Sequence, residues 1–212
     1  MVLNQQNSHS SDTWLAATKE SSTEASTSLS QPEPIQNPVT GECLTVLCST
    51  RDSDGERLLL CFDLPPKTKG APLHYHLTIT ETFEVLNGEL EMELSEKRNR
   101  KTLRPGEVIP VPPGMHHSFW NASDEWVTFT TLVQPAAEFE KFIRGMYSMA
   151  RDGVSANFLQ FALLVEKSDS ILVNKPLFVQ KLISGVLTPI AYLLRVEQSL
   201  SKYWSEVDRT EA

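Results

Sequence analysis

Three histidines and one glutamate lie in two short stretches of this 212-residue chain. His74 and His76 flank Tyr75, Glu81 follows closely, and His117 comes later. Three imidazoles and one carboxylate are common ligands of a divalent transition metal. On a β-strand alternate side chains share a face, so His74 and His76 should point the same way. The pattern predicts one metal centre held by His74, His76, Glu81 and His117.

Turn residues indicate how these side chains are positioned. The pair Asn87-Gly88 predicts a two-residue hairpin after the Glu81 strand, because both positions tolerate positive φ. The run Pro112-Pro113-Gly114 predicts a turn that directs the strand of His117. His116 is adjacent to His117, so it should point away from the ligand face or act behind the ligands.

The spacing of these residues resembles the two conserved motifs of the cupin superfamily. The first motif is matched by His74, His76, Glu81 and Gly88. The second is matched by Gly106, Pro112, Gly114, His117 and Asn121. Upstream of His74, the nearest glycine is Gly70, two residues closer than the family spacing, where we expect it to shape a turn. The resemblance implies a β-barrel with one metal bound inside it.

Side-chain alternation predicts short β-strands through the middle of the chain. Apolar runs at 43–48 and 58–64 are separated by the turn signal Asp52-Ser53-Asp54-Gly55. Residues 89–94 alternate strictly, as in a strand with one solvated face. About eight strands, with turns roughly every eight to twelve residues, predict a mainly β, single-domain jelly-roll barrel over residues 39–135.

After Pro135 the apolar period changes to that of a helix. Helical patterns cover residues 139–150 and 158–167, and a third covers about 177–204 with interruptions at Gly185 and Pro189. We therefore expect residues 136–212 to form a C-terminal helical extension packing on the barrel. The apolar part of the third helix is a poor membrane span. It should pack on the barrel, on a partner subunit or weakly on a membrane surface, with packing on protein favoured.

Residues 1–38 differ in composition from the rest of the chain. They are rich in Ser, Thr, Asn, Gln and Ala up to position 30, and three prolines follow. Such a segment buries too little apolar surface to offset its ordering entropy, so we expect a disordered N-terminal tail. It shows neither a secretory signal nor the basic composition of a transit peptide. A cytoplasmic location is the expectation.

Charge and cysteine content exclude some classes of function. The formal net charge of −8 does not favour a nucleic-acid binder. A basic cluster of Lys97, Arg98, Arg100, Lys101 and Arg104 is expected to be a solvated hairpin tip rather than an anion site. Cys43, Cys48 and Cys61 have neither metal-binding nor redox spacing and should be buried, reduced thiols. A homodimer is possible, since dimers are common in the family.

Weaker motifs resemble small one-barrel cupins described as quercetinase-like. These motifs are 37–42, 83–88 and the helix end 150–153 followed by the apolar run 159–164. The resemblance implies dioxygen chemistry on a small aromatic or enolic substrate. Phe83, Val85 and Phe119 would line an apolar pocket, and Glu81 could accept a proton if it detaches from the metal.

Two classes of function stay open on the sequence alone. One is a metal-dependent enzyme, foremost a dioxygenase, with isomerase or lyase as variants. The other is a non-catalytic cupin that binds or senses a small molecule. The metal could be Fe, Mn, Ni, Co, Cu or Zn, since all accept these ligands.

Overall fold

β-strands make up most of the central part of the chain in the computed structural model, which describes residues 33–95 and 97–208. Most of the expected tail, residues 1–32, lies outside the described residues. The strands are β1 (Ile35–Gln36), β2 (Cys43–Cys48), β3 (Leu58–Leu64), β4 (His74–His76), β5 (Thr80–Asn87), β6 (Leu90–Leu94), β7 (Asn99–Leu103), β8 (Val108–Val111), β9 (His117–Trp120), β10 (Val127–Gln134) and β11 (Ser170–Leu172).

These strands form two antiparallel sheets around one core. The first sheet has the order β1-β2-β3-β10-β5-β8, and the second has the order β11-β4-β9-β6-β7. The mainly β, jelly-roll architecture expected from the side-chain alternation is confirmed. Because β4 and β9 lie in one sheet and β5 in the other, side chains from both sheets can meet inside the barrel.

The hairpin predicted at Asn87-Gly88 is wrong, because β5 and β6 belong to different sheets. Gly88 does adopt a positive φ of 78°. A Cβ atom at Gly88 would lie 2.5 Å from the carbonyl oxygen of Trp126, just before β10. The glycine therefore allows the chain to turn a corner between the sheets rather than to fold back on itself.

Alternation along the strands builds the core. In β3 the side chains of Leu58, Leu60, Phe62 and Leu64 are buried, while the residues between them are half-buried. Phe62 stacks on Phe129 of β10 with ring centroids 5.2 Å apart. Full burial of each such side chain contributes about 1.5–3 kcal/mol to folding, so the barrel is held mainly by these inward faces.

Helices follow the barrel, with bounds close to those predicted for the first two. Asn157 caps the second helix by accepting hydrogen bonds from the backbone N–H groups of Leu159 and Gln160. The helices are α1 (Phe139–Arg151), α2 (Phe158–Lys167), α3 (Leu177–Leu182), α4 (Thr188–Leu193) and α5 (Ser201–Asp208).

A buried carboxylate fixes α1 to the barrel. Glu140 is fully buried, and its Oε2 accepts hydrogen bonds from the Thr50 N–H and hydroxyl, each at 2.7 Å, and from the Ser49 hydroxyl at 2.8 Å. Its Oε1 accepts one from Arg144 at 2.7 Å. Burial alone would raise the pKa of Glu140, but these hydrogen bonds outweigh it and lower the pKa.

The third predicted helix ends earlier than expected, because Arg195 adopts a positive φ of 54° after Leu194, while the backbone stays helical through Gly185 and Pro189. A π-helical turn at Ile183–Leu187 joins α3 to α4. Only part of its apolar surface packs on the fold, and Phe178, Leu182 and Leu193 are exposed. No helix among the described residues is long and apolar enough to cross a membrane.

The extension also contributes β11, a strand that the periodicity did not predict. It pairs antiparallel with β4, placing Ser170 opposite His76 and Leu172 opposite His74. This short strand lies at the edge of the second sheet. The C-terminal extension therefore joins the second sheet next to the predicted metal ligands His74 and His76.

The structure confirms some of the expectations for the cysteines and the basic cluster and corrects others. The three cysteines are free thiols, as expected, but each is half-buried rather than buried. The basic cluster spans the turn between β6 and β7 and continues along β7, so it covers more than a hairpin tip. There Arg98 lies 3.6 Å from Glu93, and Arg100 lies over the ring of Trp120.

Candidate metal centre

The four predicted ligands meet at one buried point inside the barrel. His74 and His117 lie opposite each other in β4 and β9, and His76 is on the same face of β4. Glu81 reaches the same point from β5 in the other sheet. One ligand atom from each residue can be chosen so that all lie within 4.8 Å of one another, and all four residues are buried.

Backbone carbonyl groups orient the three imidazoles. The Nδ1 atoms of His74 and His117 lie 2.7 Å and 3.1 Å from the carbonyl oxygens two residues before them, those of Pro72 and Met115. The Nδ1 of His76 lies 3.1 Å from the carbonyl oxygen of Ser168. Since a carbonyl oxygen only accepts, each Nδ1 carries the hydrogen. In the neutral rings this leaves the Nε2 lone pairs free to bind a metal.

The Nε2 atoms provide the test of whether a metal fits. His76 Nε2 is buried and has no hydrogen-bond partner in the described part of the chain, although Glu81 Oε2 is 3.3 Å away. His117 Nε2 is 2.7 Å from the same oxygen. A lone pair and a carboxylate this close repel unless a proton or a cation lies between them. The cluster is thus built to hold positive charge.

The spacing agrees with ligation of one ion. Atoms bound at right angles to a common metal, each at 2.0–2.2 Å, lie about 3 Å apart. The distances of 2.7 Å and 3.3 Å from Glu81 Oε2 to the imidazoles bracket that value. The donor set therefore fits a divalent transition metal.

The cluster residues differ in how readily they are protonated. Burial lowers the pKa of His74 to about 4, and positive charge on His117 acts in the same direction. Burial would raise the pKa of Glu81, but His117 and His76 outweigh it and hold the pKa well below its usual range. Burial would lower the pKa of His76, but the Glu81 carboxylate outweighs it and raises the pKa. At neutral pH the site offers a carboxylate and a neutral His74.

Comparison with known proteins identifies the family of the chain. A family model described as "Cupin domain" matches residues 60–133, which run from within β3 to β10. A protein named "Probable oxidoreductase virH" from Hypocrea virens is 32% identical over 152 residues, covering 65% of this chain and 69% of that protein. The chain belongs to the cupin superfamily. An oxidoreductase of Arthrobotrys oligospora is 27% identical over 115 residues, covering 49% of this cupin and 45% of the relative.

Among solved structures, a protein of Thermotoga maritima described as a predicted oxalate decarboxylase aligns with 24% identity and a TM-score of 0.41. The alignment covers 49% of this cupin and 91% of that chain.

Gly114 and Asn121, two further motif residues of this cupin, donate hydrogen bonds to backbone carbonyl groups. Gly114 has a φ of +78° and donates its N–H to the His76 carbonyl oxygen at 2.9 Å, which links the turn before β9 to β4. Asn121 is buried, and its amide donates to the carbonyl oxygens of Leu64, Pro65 and Glu125. These contacts fix both ends of β9 and so the position of His117.

His116 and Tyr75 lie on the opposite face from the ligands. Their rings stack with centroids 5.0 Å apart and an interplanar angle of 19°. His116 is thus outside the ligand cluster, which is one of the two positions that the sequence left open for it.

A carboxylate in the extension holds the bend between two candidate ligands. Asp169 accepts hydrogen bonds from the Thr78 N–H at 2.7 Å, the Thr78 hydroxyl at 2.9 Å and the Ile79 N–H at 3.2 Å. Thr78 and Ile79 lie between His76 and Glu81. Because Asp169 follows Ser168 directly, one short segment orients the His76 ring and fixes the chain that leads to Glu81. Sequence reasoning missed both residues, since no local motif marks them.

Aromatic side chains surround the cluster. Phe83 lies 6.1 Å from the His117 ring and 5.8 Å from Phe119, measured between centroids. Phe119 is half-buried although it shares a face with the fully buried His117. Val85 is fully buried four residues along β5 from Glu81, about 13 Å away along the strand. Phe139 of α1 has its ring 5.6 Å from that of His76, measured between centroids.

Gly70 has a packing role that the sequence did not indicate. A Cβ atom at this position would lie 2.4 Å from two ring carbons of Phe119. Gly70 was expected to shape a turn, but its φ is not positive in the structure. The missing side chain instead lets the backbone rest directly on the Phe119 ring.

Proposed function

We propose that this cupin is a mononuclear metal-dependent dioxygenase acting on a small aromatic or enolic substrate. The observation that carries the proposal is the convergence of three Nε2 lone pairs and one carboxylate on a buried point, with each imidazole oriented by a backbone carbonyl. His74, His76, His117 and Glu81 would hold the ion. When bound, a divalent transition metal would supply Lewis acidity and redox chemistry toward dioxygen.

The protein's own groups would bind and deprotonate the substrate. An enol or phenol must lose its hydroxyl proton to become electron-rich enough to react with dioxygen. Glu81 would take this proton when it detaches from the metal, since its carboxylate reaches the centre of the cluster and is ionised at neutral pH. Phe83 and Phe119 form an apolar wall next to the cluster, which suits a flat substrate and keeps water from a reactive intermediate.

The names of the two relatives support oxidoreductase chemistry for this chain. The dioxygenase proposed here would place both atoms of one dioxygen molecule in the organic products, and the substrate would supply all four electrons, so that no external reductant is needed. This stoichiometry distinguishes a dioxygenase from a monooxygenase.

The proposal is tested with purified protein loaded separately with each candidate metal. Oxygen uptake is recorded with flavonols and simpler enols, followed by mass analysis of products formed under ¹⁸O₂. We expect one dioxygen consumed per substrate and two labelled atoms in the products. Activity should vanish in His117→Ala and persist in His116→Ala, because only His117 faces the cluster.

Two other results would point to different functions. Substrate binding at a metal-loaded site with no oxygen uptake under any metal would indicate a binding or sensing cupin. Conversion of the substrate without oxygen uptake would indicate an isomerase or lyase.

A further inference from the structure

The segment from α3 through the π-helical turn to α4 has an apolar stripe on its outer surface. Phe178, Leu182, Val186, Ile190 and Leu194 recur every fourth residue, and they are 73%, 52%, 45%, 40% and 62% exposed. Four-residue spacing drifts by about 40° per step around an α-helix. The wider π-helical turn reduces this drift, which keeps the side chains near one line.

Other apolar residues of the same segment pack on the fold. Ala191 is fully buried, and Val179, Ile183 and Leu187 are half-buried. Thr188 is also buried, and its hydroxyl donates to the Ala162 carbonyl oxygen in α2. The segment is therefore apolar both on the side that packs on the fold and on the exposed side that carries the stripe. A helix that is apolar all round normally has an apolar environment on both sides.

The segment that carries the stripe differs in sign of charge from the whole chain. Residues 170–196 contain three basic residues, Lys175, Lys181 and Arg195, and no acidic residue, whereas the chain has a formal net charge of −8. All three are exposed, and none forms an ion pair with another described residue. Basic side chains beside an apolar helical face are typical of helices that lie in the interface of an anionic membrane.

We propose that this face docks on an anionic phospholipid surface, with the segment lying in the membrane plane. The stripe, completed by Leu193 at 82% exposure, enters the boundary between headgroups and acyl chains. Lys175, Lys181 and Arg195 contact lipid phosphates. This inference is independent of the proposed dioxygenase activity, since none of its residues belongs to the metal cluster.

A second copy of the chain fits this face less well. A two-fold interface brings the same patch of both copies together. Each copy would bring three cations from residues 170–196, against the two exposed carboxylates that flank the segment, Glu166 and Glu197. An anionic membrane supplies both the apolar layer and the opposite charge.

The test is flotation of the full-length protein with vesicles of phosphatidylcholine, alone or mixed with phosphatidylserine. We expect flotation with the mixed vesicles and much less with phosphatidylcholine alone. The double variant Leu182→Gln/Leu193→Gln should bind roughly 10²-fold more weakly. Leu86→Gln is the matched control, because Leu86 is also half exposed but lies on the barrel. The triple variant Lys175→Gln/Lys181→Gln/Arg195→Gln should lose roughly 10²-fold on the mixed vesicles.

Three outcomes would overturn the proposal. The first is failure of the wild-type protein to float, or equal flotation of Leu182→Gln/Leu193→Gln. The second is a wild-type dimer in light scattering that becomes monomeric in that double variant, which would assign the face to a second copy. The third is strong hydrogen-exchange protection of α3 without vesicles that disappears when residues 1–32 are deleted, which would assign the face to the N-terminal segment.

Discussion

The candidate ligands and the groups that orient them come from different regions of the molecule. All four ligands lie on barrel strands between positions 74 and 117. The carbonyl groups that orient His74 and His117 belong to the same region, two residues before each histidine. The carbonyl group that orients His76 is 92 residues further along the chain, at Ser168 in the C-terminal extension.

This difference gives the extension a role in the metal centre. A barrel without residues 136–212 would retain the four ligands but would lose the carbonyl that sets the His76 tautomer. It would also lose Asp169, which holds the bend between His76 and Glu81. Partners behind metal ligands commonly change metal affinity by 10–100-fold. We therefore treat the extension as part of the centre rather than as an appendage.

The largest expected effect is a loss of metal affinity that distinguishes His117 from its neighbour His116. His117→Ala should lower metal affinity by more than roughly 10²-fold, because it removes a ligand and leaves the Glu81 carboxylate without its closest partner. Elemental analysis after exhaustive dialysis measures the effect. The matched control is His116→Ala, whose ring stacks on Tyr75 outside the cluster and whose loss should leave metal content unchanged. Equal metal loss in both variants would remove His117 from the ligand set.

Substitution of His76 and of Glu81, two ligands of the barrel region, should change metal content and activity in different ways. His76→Ala removes a ligand without a proton-transfer role, so metal content and oxygen uptake should fall together. Glu81→Ala leaves three imidazoles, enough to retain part of the metal, while turnover should fall by roughly 10²–10⁴-fold. Metal occupancy and oxygen consumption are measured on the same samples. Full metal content and full activity in Glu81→Ala would leave the carboxylate without a chemical role.

The barrel could be predicted from sequence because its signals are local. The runs predicted at 43–48 and 58–64 coincide with β2 and β3, since alternation depends only on which side of a strand faces the core. The corner at Asn87-Gly88 was misinterpreted for the same reason. A positive φ at Gly88 is a local property, but whether the next strand pairs or changes sheet depends on contacts with distant Trp126.

The candidate site likewise has a part that local sequence patterns predict and a part that depends on distant contacts. The spacing of His74, His76, Glu81 and His117 is recognisable because neighbouring strands repeat simple geometry. Ser168 and Asp169 act through a backbone carbonyl and a carboxylate on the residues around Thr78. Neither contact leaves a pattern in the sequence, because any residue has a carbonyl and an isolated aspartate is common. Residues 168–172 are also too short a stretch to indicate β11 by alternation.

The contribution of the extension can be measured at Asp169. Asp169→Ala leaves the Thr78 and Ile79 N–H groups without their acceptor, so metal affinity should fall by about 10–100-fold. Asp169→Asn retains one acceptor oxygen and should restore part of the affinity. Titration with Co²⁺, followed by its absorption spectrum, reports both affinity and ligand geometry. Asp124→Ala is the control, since Asp124 is exposed on the barrel and pairs with Lys67. Unchanged affinity in Asp169→Ala would confine the centre to the barrel.

The smallest expected effect concerns how α1 is attached to the barrel, apart from the metal centre. Glu140→Gln replaces an acceptor oxygen with an amide N–H₂ facing the donors of Thr50 or Arg144, which should lower the free energy of unfolding by about 1–3 kcal/mol at neutral pH. The pKa of Glu140 is lower in the folded state than its ordinary value of 4.5. The stability contributed by its ionised form is therefore present above about pH 4.5 and is lost as the pH falls through the folded pKa.

Urea denaturation of both proteins at several pH values isolates this contribution. The difference between wild type and Glu140→Gln should be largest at neutral pH and should shrink in acid, while Glu125→Gln, at an exposed position, should show no difference at any pH. Metal affinity should stay within about twofold of wild type, because Glu140 contacts Ser49, Thr50 and Arg144 rather than the ligand cluster. A large loss of metal affinity in Glu140→Gln would mean that the whole extension, and not only the segment around Ser168 and Asp169, positions the ligands.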